Sequence, residues 1–224
     1  MDYSALKKST LFLGIPADQL CDDLEGVPHH IQYYDKGETV FHLMESADRI
    51  GIILEGRVQA QKSFPNGSQI NVSVRTPGEM IGSAAVFSRN QTYPCDVVSL
   101  EPARIMMLRR EAILLLLQKD PRFMKNLMEE LATAAYMLQQ RLELLSYSGI
   151  AQKAAFYLLI HARQSAKNVV RIPDSVTNWA MIMNVSRSSL HRELKKMETA
   201  GIISYDPPAV TILDPEALQN VLSK

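Results

Sequence analysis

Seven apolar residues at alternating spacings of four and three constrain this chain more than any other feature. Met124, Met128, Leu131, Ala135, Leu138, Leu142 and Leu145 run for about three heptads without a polar break. A repeat of 3.5 residues holds them on one stripe of a helix, and such a stripe calls for a partner helix. Asp120-Pro121 opens the segment: Asp serves as cap, and Pro is tolerated in the first turn because the N–H it lacks would be unpaired there anyway. The pattern predicts a dimer seam on a long helix over residues 121–148, interrupted at Tyr147-Ser148-Gly149.

Upstream the regime changes to short apolar runs broken by Gly, Pro and Asn. Strands are expected near Ile31–Tyr34, Thr39–Phe41, Arg49–Leu54, Arg57–Lys62, Gln69–Arg75, Pro94–Ser99 and Ala103–Leu108. Asp35-Lys36-Gly37, Glu55-Gly56, Pro65-Asn66-Gly67 and Pro77-Gly78 supply turns, and Asn-Gly is a strong hairpin signal. Many short strands at this spacing predict a β-roll or jelly roll, preceded by one helix over Ala17–Leu24 after Pro16. Residues 109–119 read as a helix. A second stripe on the long helix, Leu127, Ala134 and the stem of Arg141, is expected to face the barrel.

Downstream, Ile150–Arg163 is amphipathic and Gln164–Asp174 reads as a loop or short strand. Asn178–Met197 then has the build of a helix-turn-helix. Trp179, Ala180, Ile182 and Met183 form the apolar face of the first helix, with Ala180 small where a second helix must approach. Asn184 suits a turn with positive φ, Val185 packs inward, and Ser186 is a good N-cap. Leu190, Leu194 and Met197 make the buried stripe of the second helix. Such a helix fits the major groove, its N-terminal residues meeting base edges and its flanks meeting phosphates. Arg187, Ser188 and Arg192 are the expected base readers. Ser189 would meet a base or a phosphate, and Thr177, Ser186, His191 and Lys195 phosphates. Ile202–Tyr205 and Val210–Ile212 pair as a wing across Asp206-Pro207-Pro208, and Asp214-Pro215 opens a last helix.

Composition narrows the class. With 46% hydrophobic and 21% charged residues the chain folds and needs no membrane; it lacks a run of ~20 apolar residues, and its start lacks the apolar core of a signal peptide. Cys21 and Cys95 are far apart, which suits a reducing, cytoplasmic setting. Charge is uneven: 15 Lys and Arg stand against 18 Asp and Glu over residues 1–149, and 9 against 6 over residues 150–224. Weak basicity suits a dimer, which doubles its phosphate contacts. A nucleophile–base pair, a phosphate loop and metal-ligand spacing among His29, His30, His42, His161 and His191 are all missing, so an enzyme is not expected. Cys95 reads as a buried thiol.

Taken together, Lys36-Gly37-Glu38, Ile52–Val58 (IILEGRV), the Asn-Gly turn, Pro77–Gly82 (PGEMIG) and Val185–Ile203 resemble the Crp/Fnr family of bacterial transcription regulators. The resemblance implies an α+β chain of three parts. These are a cyclic-nucleotide-binding-like β-roll over residues 1–120, a dimerisation helix over 121–148, and a winged helix-turn-helix over 149–224. It implies a homodimer on an inverted-repeat operator in double-stranded DNA, RNA polymerase as a partner, and a small-molecule effector held near Ser83, Ala84, Tyr93 and Pro94, with Leu138 and Gln139 from the long helix. Two departures bear on that effector. Family members that bind cyclic AMP place a Glu after the Ile-Gly and an Arg-Ser pair further on; here Ser83 follows Gly82, and Tyr93-Pro94 stands in the Arg-Ser place. Arg89 lies four residues early. Without a guanidinium a cyclic phosphate loses its bidentate charge-assisted contact, so cyclic AMP is not the expected effector. Two cysteines cannot supply the four thiolates of an iron–sulfur cluster. Met44 stands where the family usually has Gly. The rival reading is an effector-binding sensor acting through protein–protein contacts, without sequence-specific DNA binding.

Overall fold

The computed structural model describes residues 6–63, 69–165, 167–173 and 175–223. Contacts divide the chain into two compact units, Met1–Ala134 and Ala135–Lys224.

In the first unit, two short 3-10 turns and α1 (Ala17–Leu24) precede β1 (His29–Tyr34), β2 (Thr39–Phe41), β3 (Arg49–Glu55), β4 (Val58–Ser63), β5 (Gln69–Arg75) and β6 (Met80–Ile81). Then come α2 (Ser83–Phe87), β7 (Asp96–Ser99), β8 (Ala103–Arg109), α3 (Arg110–Lys119) and the start of α4 (Pro121–Ser146). Two four-stranded antiparallel sheets, ordered β1-β8-β3-β6 and β2-β7-β4-β5, form the β-roll. Ile50, Ile52 and Ile53 of β3 and Ile105, Met106 and Leu108 of β8 lie in its core. β4 and β5 pair from Val58↔Arg75 to Ser63↔Gln69 with a register shift at Ala60 and Gln61; the Pro65-Asn66-Gly67 turn lies outside the described residues. β6 and α2 were not legible, since two residues of strand and five of helix are too short to show a period.

The start of α4 docks in this unit, but not through the whole stripe expected. Phe123 and Leu127 are buried, and Phe123 meets Phe12 edge-on at 5.7 Å. Ala134 and Arg141 are exposed. Another docking residue is polar: buried Asn126 donates to the carbonyls of Leu11 and Leu13 at 3.0 and 2.9 Å. Hydrophobic periodicity passes over such a residue because its burial depends on distant acceptors.

Along the seam, Met124, Met128, Ala135, Leu138, Leu142 and Leu145 are exposed, with Met128, Leu138 and Leu142 all above 60%. Leu131 is half-buried against the first unit's core.

In the second unit, α5 (Ile150–Ser165), β9 (Val169–Arg171), α6 (Val176–Ile182), α7 (Arg187–Thr199), β10 (Ile203–Asp206), β11 (Ala209–Ile212) and α8 (Pro215–Val221) follow the end of α4. β9 joins the wing as the third strand of an antiparallel sheet ordered β10-β11-β9, so the stretch read as a loop or short strand holds a strand. Trp179, Leu158, Leu190, Leu194, Ile203 and Val210 make the core. No helix among the described residues is long and apolar enough to cross a membrane.

Candidate nucleic-acid interface

The helix-turn-helix is assembled from local rules. Ser175 caps α6 by accepting from Asn178 N–H at 3.1 Å, a start three residues ahead of the stretch singled out from sequence. Trp179, Ala180 and Met183 are buried and Ile182 half-buried. At the turn Asn184 has φ 53°, which Asn tolerates better than other side chains with a Cβ. Val185 N–H returns to the Ala180 carbonyl at 3.0 Å. The buried Lys153 ammonium donates to the Met183 carbonyl at 3.2 Å, placing a cation at the C-terminal end of α6, where the helix dipole favours one. Ser186 caps α7 by accepting from Ser189 N–H at 3.0 Å. Its hydroxyl also lies 3.0 Å from the Ser188 hydroxyl and donates to that of Ser189 at 2.8 Å. Removing this cap should matter: Ser186→Ala is expected to lower unfolding free energy by about 1 kcal/mol, read as a lower denaturant midpoint, while Ser186→Gly should cost only a few tenths.

Leu190, Leu194 and Met197 bury the inner stripe of α7. On the other faces Arg187, Ser188, His191, Arg192, Lys195 and Lys196 are exposed and Ser189 is half-buried; Thr177, in the first turn of α6, is exposed too. Arg187, Ser188, His191 and Arg192 therefore present polar side chains on the N-terminal half of α7, with Lys195 and Lys196 in its C-terminal half. Its cations are not equivalent. Lys195 pairs with Glu198 at 2.6 Å and Lys196 with Glu193 at 2.9 Å, while Arg192 lies 4.0 Å from Glu193. Among the described residues no carboxylate lies within ion-pair distance of Arg187. Glu198 also accepts the Tyr205 backbone N–H of β10 at 2.9 Å, linking α7 to the wing. The Lys195 ammonium sits 5.5 Å from the Tyr205 ring centre, and the His191 ring meets the same ring at 5.6 Å. Sequence reasoning missed Lys153, Ser175, Glu193 and Glu198 as parts of this site. Ser175 was legible as a cap, and Glu193 and Glu198 stand within three residues of their lysines.

In the β-roll, Ser83 is buried and Ala84 and Pro94 are exposed. Tyr93 is 3% exposed. Its ring stacks on Phe41 with centres 4.2 Å apart and planes within 7°, and its hydroxyl donates to the Arg49 carbonyl at 2.6 Å. Burial pushes the phenol up to about 12, so it stays a donor. Gly82, at φ 83°, lies under this stack: a Cβ there would stand 3.1 Å from both rings. Arg49 forms two hydrogen bonds with Asp48, at 2.7 and 3.2 Å, and Arg89 is exposed. Cys95 is half-buried and burial raises its thiol pKa, which lowers the thiolate fraction. Leu138 and Gln139 belong to the second unit and are exposed.

Met44 adopts the left-handed backbone at φ 66° and is 70% exposed. A side chain there costs about 1–2 kcal/mol, while Gly loses about 0.5–1 kcal/mol more backbone entropy on folding. Met44→Gly is therefore expected to stabilise the first unit by about 0.5 kcal/mol, seen as a higher denaturant midpoint for that unit.

Fold and site together define an antiparallel β-roll followed along the chain by a winged helix-turn-helix, and comparison with known proteins agrees. The cyclic nucleotide-binding domain model matches residues 31–120 and the Crp-like helix-turn-helix model matches residues 152–221. The cyclic AMP receptor protein of Thermus thermophilus is 22% identical over 216 residues, covering 96% of this chain and 98% of that protein. The crystal structure of the Thermus thermophilus catabolite activator protein superposes with a TM-score of 0.56 at 21% identity, over 96% of this chain and 99% of that one. FixK2 of Bradyrhizobium japonicum gives 0.54 at 16% identity, over 87% and 97%. The chain belongs to the Crp/Fnr family and is a DNA-binding transcription regulator.

Proposed function

We propose that the protein acts as a homodimer on an inverted-repeat operator, under the control of an effector that is not a cyclic nucleotide. The bare heptad seam carries this reading: exposed leucines and methionines on one stripe of a 26-residue helix match what a second copy of the same helix would cover. A two-fold axis sets the reading helices one duplex turn apart, ~34 Å, and imposes the symmetry on the operator. Arg187, Ser188 and Arg192 read bases, Arg being suited to bidentate contact with guanine. Ser189 meets a base or a phosphate, and Thr177, Ser186, His191 and Lys195 contact phosphates. RNA polymerase is the partner through which a bound regulator acts, and the cytoplasm, where the DNA is, its place of work.

The effector reading rests on Tyr93. In the place of the guanidinium that would hold a cyclic phosphate stands a buried phenol, stacked on Phe41 and bonded to a backbone carbonyl. The nearby guanidinium of Arg49 is engaged by Asp48. Cyclic AMP and cyclic GMP are expected to leave duplex affinity unchanged; a cyclic-nucleotide-dependent gain would overturn this half of the reading. The main test is selection of bound duplexes from random DNA, with and without small molecules from cell extract. An inverted repeat with half-sites one helical turn apart is the expected result, and an asymmetric single site would overturn the dimer. A protein with no salt-dependent affinity for duplex would instead act through protein contacts.

A further inference from the structure

Three of the four Lys and Arg side chains of α7 lie within ion-pair distance of carboxylates on the same helix, and the pairs are arranged unevenly. Lys195 meets Glu198 at 2.6 Å and Lys196 meets Glu193 at 2.9 Å, with Arg192 at 4.0 Å from Glu193. Arg187, at the N-terminal end of the helix, has no such carboxylate among the described residues. Glu198 is tied down from a second side, since it accepts the Tyr205 N–H of β10 at 2.9 Å. Lys195 is drawn back over the Tyr205 ring at 5.5 Å. The Lys195 ammonium and the Tyr205 N–H together hold the Glu198 carboxyl below its usual range, so it stays an anion at neutral pH.

We propose that Glu198 is a positioning residue for specificity: it holds Lys195 against the wing and away from phosphate, so that sequence-independent attraction to DNA is kept weak. The inference rests on the reading of α7 as the DNA-contacting helix. Sequence-independent affinity comes from lysines and arginines that release counterions when they meet phosphates. A lysine already facing a carboxylate must exchange one anion for another, and gains little until the protein is seated where α7 is close enough for the exchange. Arg187 needs no such exchange and is free to sample base edges from the first encounter. Glu193 acts on Lys196 in the same way. Part of the weak net basicity of the second unit is thus a placement of acids against particular bases, which favours discrimination over raw attraction.

The test is fluorescence anisotropy of the full-length protein on a random-sequence duplex across a salt series. Glu198→Gln keeps an oxygen for the Tyr205 N–H and removes the charge that holds Lys195. One released lysine per protomer, two per dimer, should steepen the slope of log K against log salt by about 1.8, tightening random-duplex binding about sixtyfold at ~0.1 M salt relative to 1 M. The ratio of operator to random affinity should fall with it. Deleting an acid beside DNA also removes repulsion, so the decisive variant is Glu198→Gln combined with Lys195→Gln, in which the gain must vanish. An unchanged slope in Glu198→Gln, or a gain that persists without Lys195, overturns the proposal. Should Glu198→Gln fail to fold, Glu193→Gln with and without Lys196→Gln poses the same question at the second carboxylate of α7. A wild-type protein without salt-dependent duplex affinity would overturn the DNA-contact reading itself, an outcome distinct from either of these.

Discussion

Leu138→Glu together with Leu142→Glu should convert a dimer into a 25.1 kDa monomer in sedimentation or light scattering, with the fold of each unit kept. Both leucines are more than 60% exposed in the single chain, so the substitutions create no cavity and bury no charge within it. In a parallel pair of α4 helices, each position lies close to its own copy across the two-fold axis. Four carboxylates would then gather in a strip from which water is excluded, where like charges repel strongly and desolvation is costly. Affinity for a two-half-site duplex should fall ~100-fold or more, because binding of the second half-site ceases to be intramolecular. Affinity for a single half-site should change little. A double variant that remains dimeric would place the interface elsewhere.

Arg187→Ala should cost about 1–3 kcal/mol for each half-site it reads and relax one position of the operator. Arg187 sits in the first turn of α7, exposed, with the Ser186 cap fixing the helix start beside it. A guanidinium there can present two parallel N–H donors to a guanine edge, which alanine cannot replace and lysine replaces poorly. The loss should therefore show on the operator and be small on random duplex, compressing the ratio between them. Both measurements belong at the same salt concentration, since the electrostatic share of binding moves with it. Equal losses on the two duplexes would make Arg187 a phosphate contact and leave base reading to Ser188 and Arg192.

The order and kind of elements were legible because their causes are local. Apart from β6, the strands of the β-roll begin and end within two residues of their apolar runs, since alternation and turn residues act over neighbouring positions. Asn184 at positive φ and Ser186 as a cap follow from side chains interacting with their own backbone. The limits of this reasoning show on α4. The heptad stripe was plain, but the docking stripe was drawn through Ala134 and Arg141, which are exposed. The real one includes Asn126, whose burial is allowed only by the carbonyls of Leu11 and Leu13.

What the sequence by itself determined is the set of faces: an apolar seam, a buried stripe on the reading helix, and a polar side bearing Arg187. Periodicity and capping chemistry are enough for that, because each depends on residues a few positions apart. Only the tertiary structure decided the pairings: Tyr93 on Phe41 and the Arg49 carbonyl, Lys153 on the end of α6, and Glu198 on the Tyr205 N–H of the wing. A hydrogen bond or ion pair takes its strength from distance, direction and burial. For residues far apart in the chain, those are set by how the elements pack and leave no periodic trace in the order of residues.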